Sequence, residues 1–159
     1  MKVKKIRKNA VIPTYGSLSS AGADLYAATD KSIYIRDGET VMIPTGIAIE
    51  IPEGYMGLIF ARSGLSCKNG LAPANKVGLI DSDYRGEIMV AIHNHEPMKS
   101  QDDVTDENYL ENYTKRHIIE PGDRIAQLVI APYMHMEFEE VENLDDTERG
   151  IGGFGSTGR

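Results

Sequence analysis

Residues 78–86 of this chain read Gly78-Leu79-Ile80-Asp81-Ser82-Asp83-Tyr84-Arg85-Gly86, and apolar runs at 77–80 and 88–92 overlap or follow them. Such runs are typical of buried strands. We therefore expect a tight bend that brings Asp81 and Tyr84 to a strand end, where binding sites are usually built. A plain hairpin turn rich in Asp and Gly is the alternative interpretation, because such turns are common in β proteins.

Outside this bend the chain alternates short strand candidates with Gly, Pro, Asn and Asp, and helical periodicity is almost absent. This rhythm predicts an all-β fold, a jelly-roll-like sandwich or barrel, rather than a parallel α/β sheet. One short helix is expected at Ser63–Lys68, with Ser63 as its N-cap. The predicted strands are Val3–Ile6, Ser32–Arg36, Thr40–Ile51, Tyr55–Ala61, Gly86–Asn94, Arg124–Ala131 and Met136–Val141.

The length of 159 residues and the 41% hydrophobic content suit one globular domain with a real core. No apolar run approaches the ~20 residues of a membrane span, and the start of the chain lacks the apolar stretch of a secretion signal. We therefore expect a cytoplasmic protein with no membrane partner. Cys67 is the single cysteine, so neither an internal disulfide nor a structural zinc site is expected.

The formal net charge of −7 argues against direct nucleic-acid binding, which depends on a broad surplus of Lys and Arg. A compact phosphate group needs only a few local donors, and several arginines lie beside glycines and hydroxyls, as in Arg62-Ser63-Gly64. A magnesium ion that accompanies the phosphates would reduce their repulsion from the acidic side chains of the protein.

Two segments depart from the strand pattern. Residues 96–117 are polar and acidic and are interpreted as an insertion, either a solvated surface excursion or an element that docks a protein partner. Residues 149–159 form a Gly-rich C-terminal arm after a β domain at 1–148. A Walker phosphate loop is excluded there, because no Lys precedes the hydroxyls and no helix can follow. A disordered tail is one interpretation. The other is an arm that orders over a ligand: Phe154 stacks, Gly155 allows close approach, and Arg149, Ser156 and Thr157 donate to phosphate.

Five blocks in this order resemble the trimeric deoxyuridine triphosphatases, which hydrolyse dUTP to dUMP and pyrophosphate, and the resemblance covers nearly the whole chain. Any one block is a weak signal, but five in order leave little room for coincidence. The resemblance implies a homotrimer with shared active sites and Mg²⁺ as cofactor. The blocks are Ala21–Ala27, Ala61–Leu65, Asn75–Gly86, Gly122–Leu128 and Arg149–Gly158.

The resemblance also implies a role for each matched residue. Asp81 matches the catalytic carboxylate that holds the water attacking the α-phosphorus. A free Asp with a pKa of roughly 3.9 is a weak base, so alignment of the water should be its main contribution. Asp24 matches a residue that supports the hydrated metal through water. The residues matched to phosphate binding are Arg62, Ser63, Gly64 and Gln127.

Base and sugar selection follow from the third block. Asn75 and the backbone of Gly78, Leu79 and Ile80 match the hairpin that binds the edge of uracil. Tyr84 matches the residue that packs beneath the deoxyribose and blocks a 2′-hydroxyl, and Met89 closes the pocket. In the family, the arm that carries Arg149 and Phe154 reaches a neighbouring subunit.

Two other hypotheses remain at this point. A deoxycytidine triphosphate deaminase shares the fold but is disfavoured by the Asp-Ser-Asp-Tyr block at 81–84 and by the arm with Phe154. A nucleotide-responsive binding protein would use the insertion at 96–117 to contact a regulator. One departure from the family pattern is Ala61, which replaces a proline that is common before the Arg-Ser-Gly block.

Overall fold

The computed structural model describes residues 1–96 and 117–153. Within these ranges the chain forms twelve short strands and one helix. Their bounds are β1 Lys2–Lys5, β2 Thr14–Tyr15, β3 Ala23–Tyr26, β4 Ile33–Tyr34, β5 Thr40–Pro44, β6 Ile47–Glu50, β7 Tyr55–Phe60, α1 Ser63–Asn69, β8 Leu71–Pro73, β9 Gly78–Ile80, β10 Met89–Asn94, β11 Ile118–Ile119 and β12 Arg124–Pro132.

The strands pair in four groups, and every pairing is antiparallel. The largest sheet has the order β2-β3-β12-β7-β9, and a second sheet has the order β5-β10-β8. Two further pairs, β1-β6 and β11-β4, complete the described part of the fold. Strands far apart in sequence are neighbours, as in β3 and β12, so the all-β, jelly-roll-like prediction is confirmed.

The core is aliphatic and is built by strand alternation. In β10 the side chains of Val90, Ile92 and Asn94 are buried while the intervening ones are partly exposed, the period of two expected for a half-buried strand. Asn94 is satisfied inside the core, because its Nδ2 donates to the carbonyl of Ile35 at 3.0 Å. Other fully enclosed side chains are Leu25, Ile43, Ile47, Leu71, Ile119 and Ile125.

The predicted strand Thr40–Ile51 is in fact two strands, β5 and β6. The break falls at Gly46, whose φ is 70°. A Cβ at this position would lie 2.7 Å from that of Ala10 and 2.8 Å from that of Ala28. Because a side chain is excluded both by the backbone conformation and by the close neighbours, glycine lets the chain turn back tightly here. The prediction at Ser32–Arg36 is correct in place but shortens to β4.

The predicted strand Met136–Val141 is wrong within this chain. Residues 132–151 are exposed throughout, and those after 132 form no ladder with the described residues. Phe138 is 101% exposed and Met134 is 81% exposed. The apolar alternation that suggested a strand is present, but the chain supplies no neighbouring edge to which this segment could bond.

The short helix is confirmed, but Ser63 is not its N-cap. Arg62 occupies the N-cap position with extended backbone, makes no side-chain capping bond, and is followed by Ser63 as the first helical residue. The helix ends at Gly70, whose φ of 66° lets its N–H bond back to the carbonyls of Leu65 and Ser66. No helix in residues 1–96 or 117–153 is long and apolar enough to cross a membrane.

The two segments singled out from the sequence are only partly described. The insertion at 96–117 lies outside the described residues except for its end positions, so its proposed docking role stays a prediction. Within the arm, residues 149–153 are described, whereas Phe154, Gly155, Ser156 and Thr157 lie outside the described residues.

Candidate active site

The bend after β9 presents Asp81 at the mouth of a cavity. β9 pairs with β7 through Ile80 and Gly57, and the turn that follows is closed by the N–H of Tyr84 bonding to the carbonyl of Asp81 at 3.2 Å. Asp81 is exposed. It borders a cavity of ≈ 320 Å³ lined by Met42, Leu79, Ile80, Tyr84, Glu87, Ile88 and Met89. The predicted sugar-binding and pocket-closing residues therefore share one cavity with the predicted catalytic carboxylate.

The loop between β8 and β9 holds Asn75 against the start of β9. A Cβ at Gly78 would lie 3.3 Å from Asn75 Nδ2 and 3.2 Å from the Cβ of Ile59, so a larger residue at 78 would press on both neighbours. Lys76 adopts a φ of 65°, which is unfavourable for a residue with a side chain. Strain of this kind is typical of loops whose conformation the surrounding contacts impose.

β9 is the edge strand of the five-stranded sheet. An edge strand leaves backbone donors and acceptors unpaired on its outer side, and a ligand with alternating carbonyl and N–H groups can bond to them. Leu79 is 59% exposed on this strand. The backbone of residues 78–80 is therefore placed to bind the edge of a planar base, as the sequence predicted.

A second group of predicted residues gathers around Asp24 on β3. This carboxylate is buried, and its Oδ1 accepts from Arg62 Nε at 2.9 Å. Its Oδ2 lies 3.4 Å from an Nη of Arg124. Arg62 also donates to the carbonyl of Arg124 at 3.2 Å. A buried carboxylate requires such partners, and here they hold two guanidinium groups at one place.

Gln127 on β12 lies beside this ion-pair cluster. It pairs with Asp24 across β3 and with Phe60 across β7, and directly paired residues project to the same face of a sheet. A Cβ at Gly22 would lie 3.2 Å from the Cβ of Gln127, so glycine leaves room for this side chain.

Arg62 and Gly64 line a cavity of ≈ 400 Å³ together with Arg124, Asn69 and the acidic Glu120 and Asp123. Ser63 begins α1 between Arg62 and Gly64. An ideal Cβ at Gly64 has no atom within 4 Å, so the space above the first turn of the helix is open. The structure therefore brings the predicted phosphate-binding residues together around one opening.

Within one chain the two groups of residues are separate. β3, which carries Asp24, and β9, which precedes Asp81, are three strand positions apart in the sheet. Three spacings of ~4.8 Å place them about 14 Å apart. The Asp81 and Arg62 side chains also border different cavities. One chain therefore does not close both groups around a single nucleotide.

Arg149 belongs to neither group in this structure. It lies exposed in a turn where its Nε donates to the carbonyl of Gly152 at 2.8 Å and the amide of Gly150 bonds to the carbonyl of Thr147 at 3.1 Å. Its predicted contact with phosphate stays a prediction.

Two residues of these groups had no role in the sequence analysis. Arg124 pairs with Asp24, and Glu87 lines the cavity of Asp81. The first could have been found from Asp24 itself, because a carboxylate flanked by Ala23 and Leu25 in a buried strand needs cationic partners. No sequence signal identifies Glu87, which follows the bend as an ordinary charged residue.

The donor set does not fit a metal ion held by protein side chains alone. Among the described residues, no group of three or more His, Cys, Asp or Glu side chains could enclose an ion. Asp24 is the predicted metal-supporting residue, and both of its oxygens face guanidinium groups. The residues fit instead an ion that keeps most of its water and binds chiefly to phosphate oxygens, which is the usual behaviour of Mg²⁺.

Glu87 forms an ion pair that makes stability depend on pH. The hydrogen bond from Arg7 holds the pKa of Glu87 below its ordinary value of 4.5, against the opposing effect of burial and with help from the Gly46 amide. Asp30 also acts on Arg7. A depressed folded-state pKa contributes stability above the unfolded pKa, and this contribution is lost as the pH falls through the folded-state pKa.

We therefore expect Glu87→Gln to lower the melting temperature by a few degrees at neutral pH, with a difference that shrinks as the pH falls from about 6 towards 3. Thermal unfolding of both proteins, followed by circular dichroism at several pH values, measures this. A difference that stays constant over that range would show that the charge of Glu87 contributes nothing.

Comparisons with known proteins identify the family. The sequence model of the family described as dUTPase matches residues 8–106 and 107–158. The deoxyuridine 5′-triphosphate nucleotidohydrolase of Finegoldia magna is 46% identical over 159 residues, covering 99% of this chain and 99% of its own length.

Two phage structures are similar in both sequence and fold. The dUTPase of Staphylococcus bacteriophage 80alpha, solved with dUpNHpp, has a TM-score of 0.80 and 32% identity over 99% of this chain and 98% of its own. The dUTPase of phage phi11 of S. aureus, described as coordinating a structural Mg(II) ion, has a TM-score of 0.75 and 29% identity over 91% of this chain and 98% of its own. The family match spans nearly the whole sequence, and the chain belongs to the dUTPase family.

Proposed function

We propose that this chain hydrolyses dUTP to dUMP and pyrophosphate, and that Asp81 positions the water that attacks the α-phosphorus. The carrying observation is the cavity in which the exposed Asp81 lies together with Tyr84 and Met89, beside the free edge of β9. The product dUMP is the precursor of thymidylate, and removal of dUTP keeps uracil out of DNA.

Selectivity in this proposal comes from the hairpin. Uracil lies along the outer backbone of residues 78–80, with Asn75 at the loop, so that cytosine would leave buried donors and acceptors unpaired. Tyr84 packs beneath the deoxyribose and leaves no space for a 2′-hydroxyl. Met89 closes the apolar side of the pocket.

Asp81 also borders a larger cavity, of ≈ 650 Å³, on the side of Asp83, Arg85 and Tyr133. We assign the nucleotide to the smaller cavity, because only that one contains Tyr84 and Met89. This assignment makes Asp83 a bystander, although it lies in the same turn.

The triphosphate requires the second group of residues. Arg62, Ser63, Gly64 and Gln127 supply donors to the phosphate oxygens, and the ion pair with Asp24 fixes the direction of Arg62. Bound Mg²⁺ would neutralise part of the phosphate charge, and Asp24 would support its water shell. The remaining charge that moves onto pyrophosphate during the reaction is met by the guanidinium and amide donors.

We further propose a homotrimer with active sites between subunits, because the two groups of residues lie on separate parts of each chain. The exposed segment after β12 supports this. Met134, Met136 and Phe138 alternate as in a strand and are 81%, 61% and 101% exposed. An apolar segment of this kind is unstable in water unless it is covered. In the assembly the arm with Arg149, Phe154, Gly155, Ser156 and Thr157 closes over a neighbouring site.

One assay tests substrate and bond together. The protein is incubated with each deoxynucleoside triphosphate and Mg²⁺, and pyrophosphate, orthophosphate and ammonia are measured. We expect pyrophosphate from dUTP alone. Orthophosphate as the first product would contradict attack at the α-phosphorus, and ammonia from dCTP would instead support the deaminase alternative.

A further inference from the structure

The ring of Tyr84 lies directly against the backbone of Gly86. An ideal Cβ at Gly86 would lie 2.4 Å from the Tyr84 Oη atom and 2.6 Å from Cζ, closer than real Cβ atoms approach their neighbours. Gly86 is not among the residues with positive φ. Its backbone conformation is therefore open to alanine, and the conflict would be with the Tyr84 side chain alone.

The hydroxyl of Tyr84 is fixed by the next residue along. It donates to the main-chain carbonyl of Glu87 at 3.0 Å. Tyr84 is itself 44% exposed, so these two contacts, rather than burial in the core, determine where its ring lies. The position of the ring thus depends on the backbone of Gly86 and Glu87.

The side chain of Glu87 is in turn held from two distant parts of the sequence. Arg7 binds it through two bonds, Nε to Oε1 at 2.6 Å and Nη2 to Oε2 at 3.1 Å. The amide of Gly46, in the tight turn between β5 and β6, donates to Oε1 at 2.9 Å. A two-point Arg–carboxylate pair fixes orientation as well as distance. The N-terminal segment and this turn therefore secure the residue to which Tyr84 bonds.

We propose that Gly86 and the Arg7–Glu87 pair are positioning residues that hold the Tyr84 ring where it excludes a 2′-hydroxyl, and so determine discrimination between dUTP and UTP. This inference rests on the proposed function, in which Tyr84 contacts the sugar. Arg7 and Glu87 act through Tyr84, and a purely structural role would instead weaken the fold without changing the relative use of the two nucleotides.

The first experiment is a double-mutant cycle. We expect Gly86→Ala to displace the ring and to lower the ratio of kcat/KM for dUTP over UTP by about tenfold, because displacements near 1 Å have effects up to ~10²-fold. The same change made in a Tyr84→Ala protein should leave the ratio as it is in Tyr84→Ala alone, since the displaced ring is then absent. Equal effects of Gly86→Ala in both backgrounds would overturn the proposal.

The second experiment tests the remote pair. We expect Arg7→Gln and Glu87→Gln each to lower the dUTP to UTP ratio by roughly threefold to tenfold, with Arg7→Lys intermediate because Lys lacks the two-point fork. Lys2→Gln is the matched control. Lys2 also pairs with a glutamate from the N-terminal strand, at 2.9 Å from Glu50, but neither residue of that pair lines the Asp81 cavity.

A third measurement separates this inference from the proposed function. Binding of α,β-imido-dUTP and α,β-imido-UTP to the same variants is measured by calorimetry, alongside melting temperatures. Wild-type protein that hydrolyses dUTP, with variants that melt lower but keep the wild-type ratio in both binding and turnover, would overturn the positioning role alone. Wild-type protein without dUTP turnover would instead overturn the proposed function.

Discussion

Asp81→Asn is expected to reduce pyrophosphate release from dUTP by roughly 10³-fold while the protein still binds the substrate. Asparagine has nearly the same size, but a neutral amide neither orients the attacking water as a carboxylate does nor accepts its proton as the bond forms. The exposed position of Asp81 means that the change leaves no cavity in the core. Steady-state release of pyrophosphate at saturating dUTP measures the loss, and calorimetry with α,β-imido-dUTP measures binding.

Asp83→Asn is the matched control for this prediction. Asp83 is also exposed, lies two residues away in the same turn and has the same charge, but it borders only the larger cavity. We expect its activity to remain within about threefold of wild type, as for an exposed charge that does not touch the reacting atoms. Equal losses in both variants would show that net charge in the turn, rather than the carboxylate of Asp81, supports the reaction.

Two inactive variants are expected to restore activity when they assemble together. Asp81→Asn lacks the catalytic carboxylate, and Arg62→Gln lacks the guanidinium for phosphate but keeps a donor towards Asp24. If each site takes Asp81 from one subunit and Arg62 from another, random mixing in equal amounts makes about one site in four complete in a closed symmetric ring. Activity should therefore rise from nearly zero to about a quarter of wild type.

The experiment uses co-expression of the two chains with different affinity tags and sequential purification on both. Each variant alone, and a mixture made after separate purification without exchange, serve as controls. If both groups of residues acted within one chain, co-assembled protein would stay inactive. Gln127→Ala in place of Arg62→Gln repeats the test with a residue outside the Asp24 ion pair, in case loss of Arg62 weakens the fold.

Much of the fold follows from local pattern. The strands β7, β10 and β12 were predicted nearly to their ends, because apolar alternation between Gly and Pro turns is a local property. β3 was not predicted as a strand, although its sequence was recognised as a motif. Its Asp24 interrupts the apolar pattern, and the interruption is compensated only by Arg62 and Arg124, which are far away in sequence.

The site could be predicted by resemblance as a set of residues, but its geometry could not. Asp81 and Tyr84 fall in one cavity as expected, while Arg62 and Gln127 gather elsewhere on the same sheet. That separation depends on the order of strands in the sheet, which no local pattern records. The role of Glu87 was missed for a related reason, since its contacts come from Arg7 and Gly46.

The uncovered segment after β12 has a consequence for how much working enzyme a cell can accumulate. A single newly made chain would present Met134, Met136 and Phe138 to water, which invites both clumping and cleavage. Only chains that find partners would hide it. Yield would therefore rise more steeply than synthesis, and strong dilution would erode catalysis even though every individual chain kept its fold.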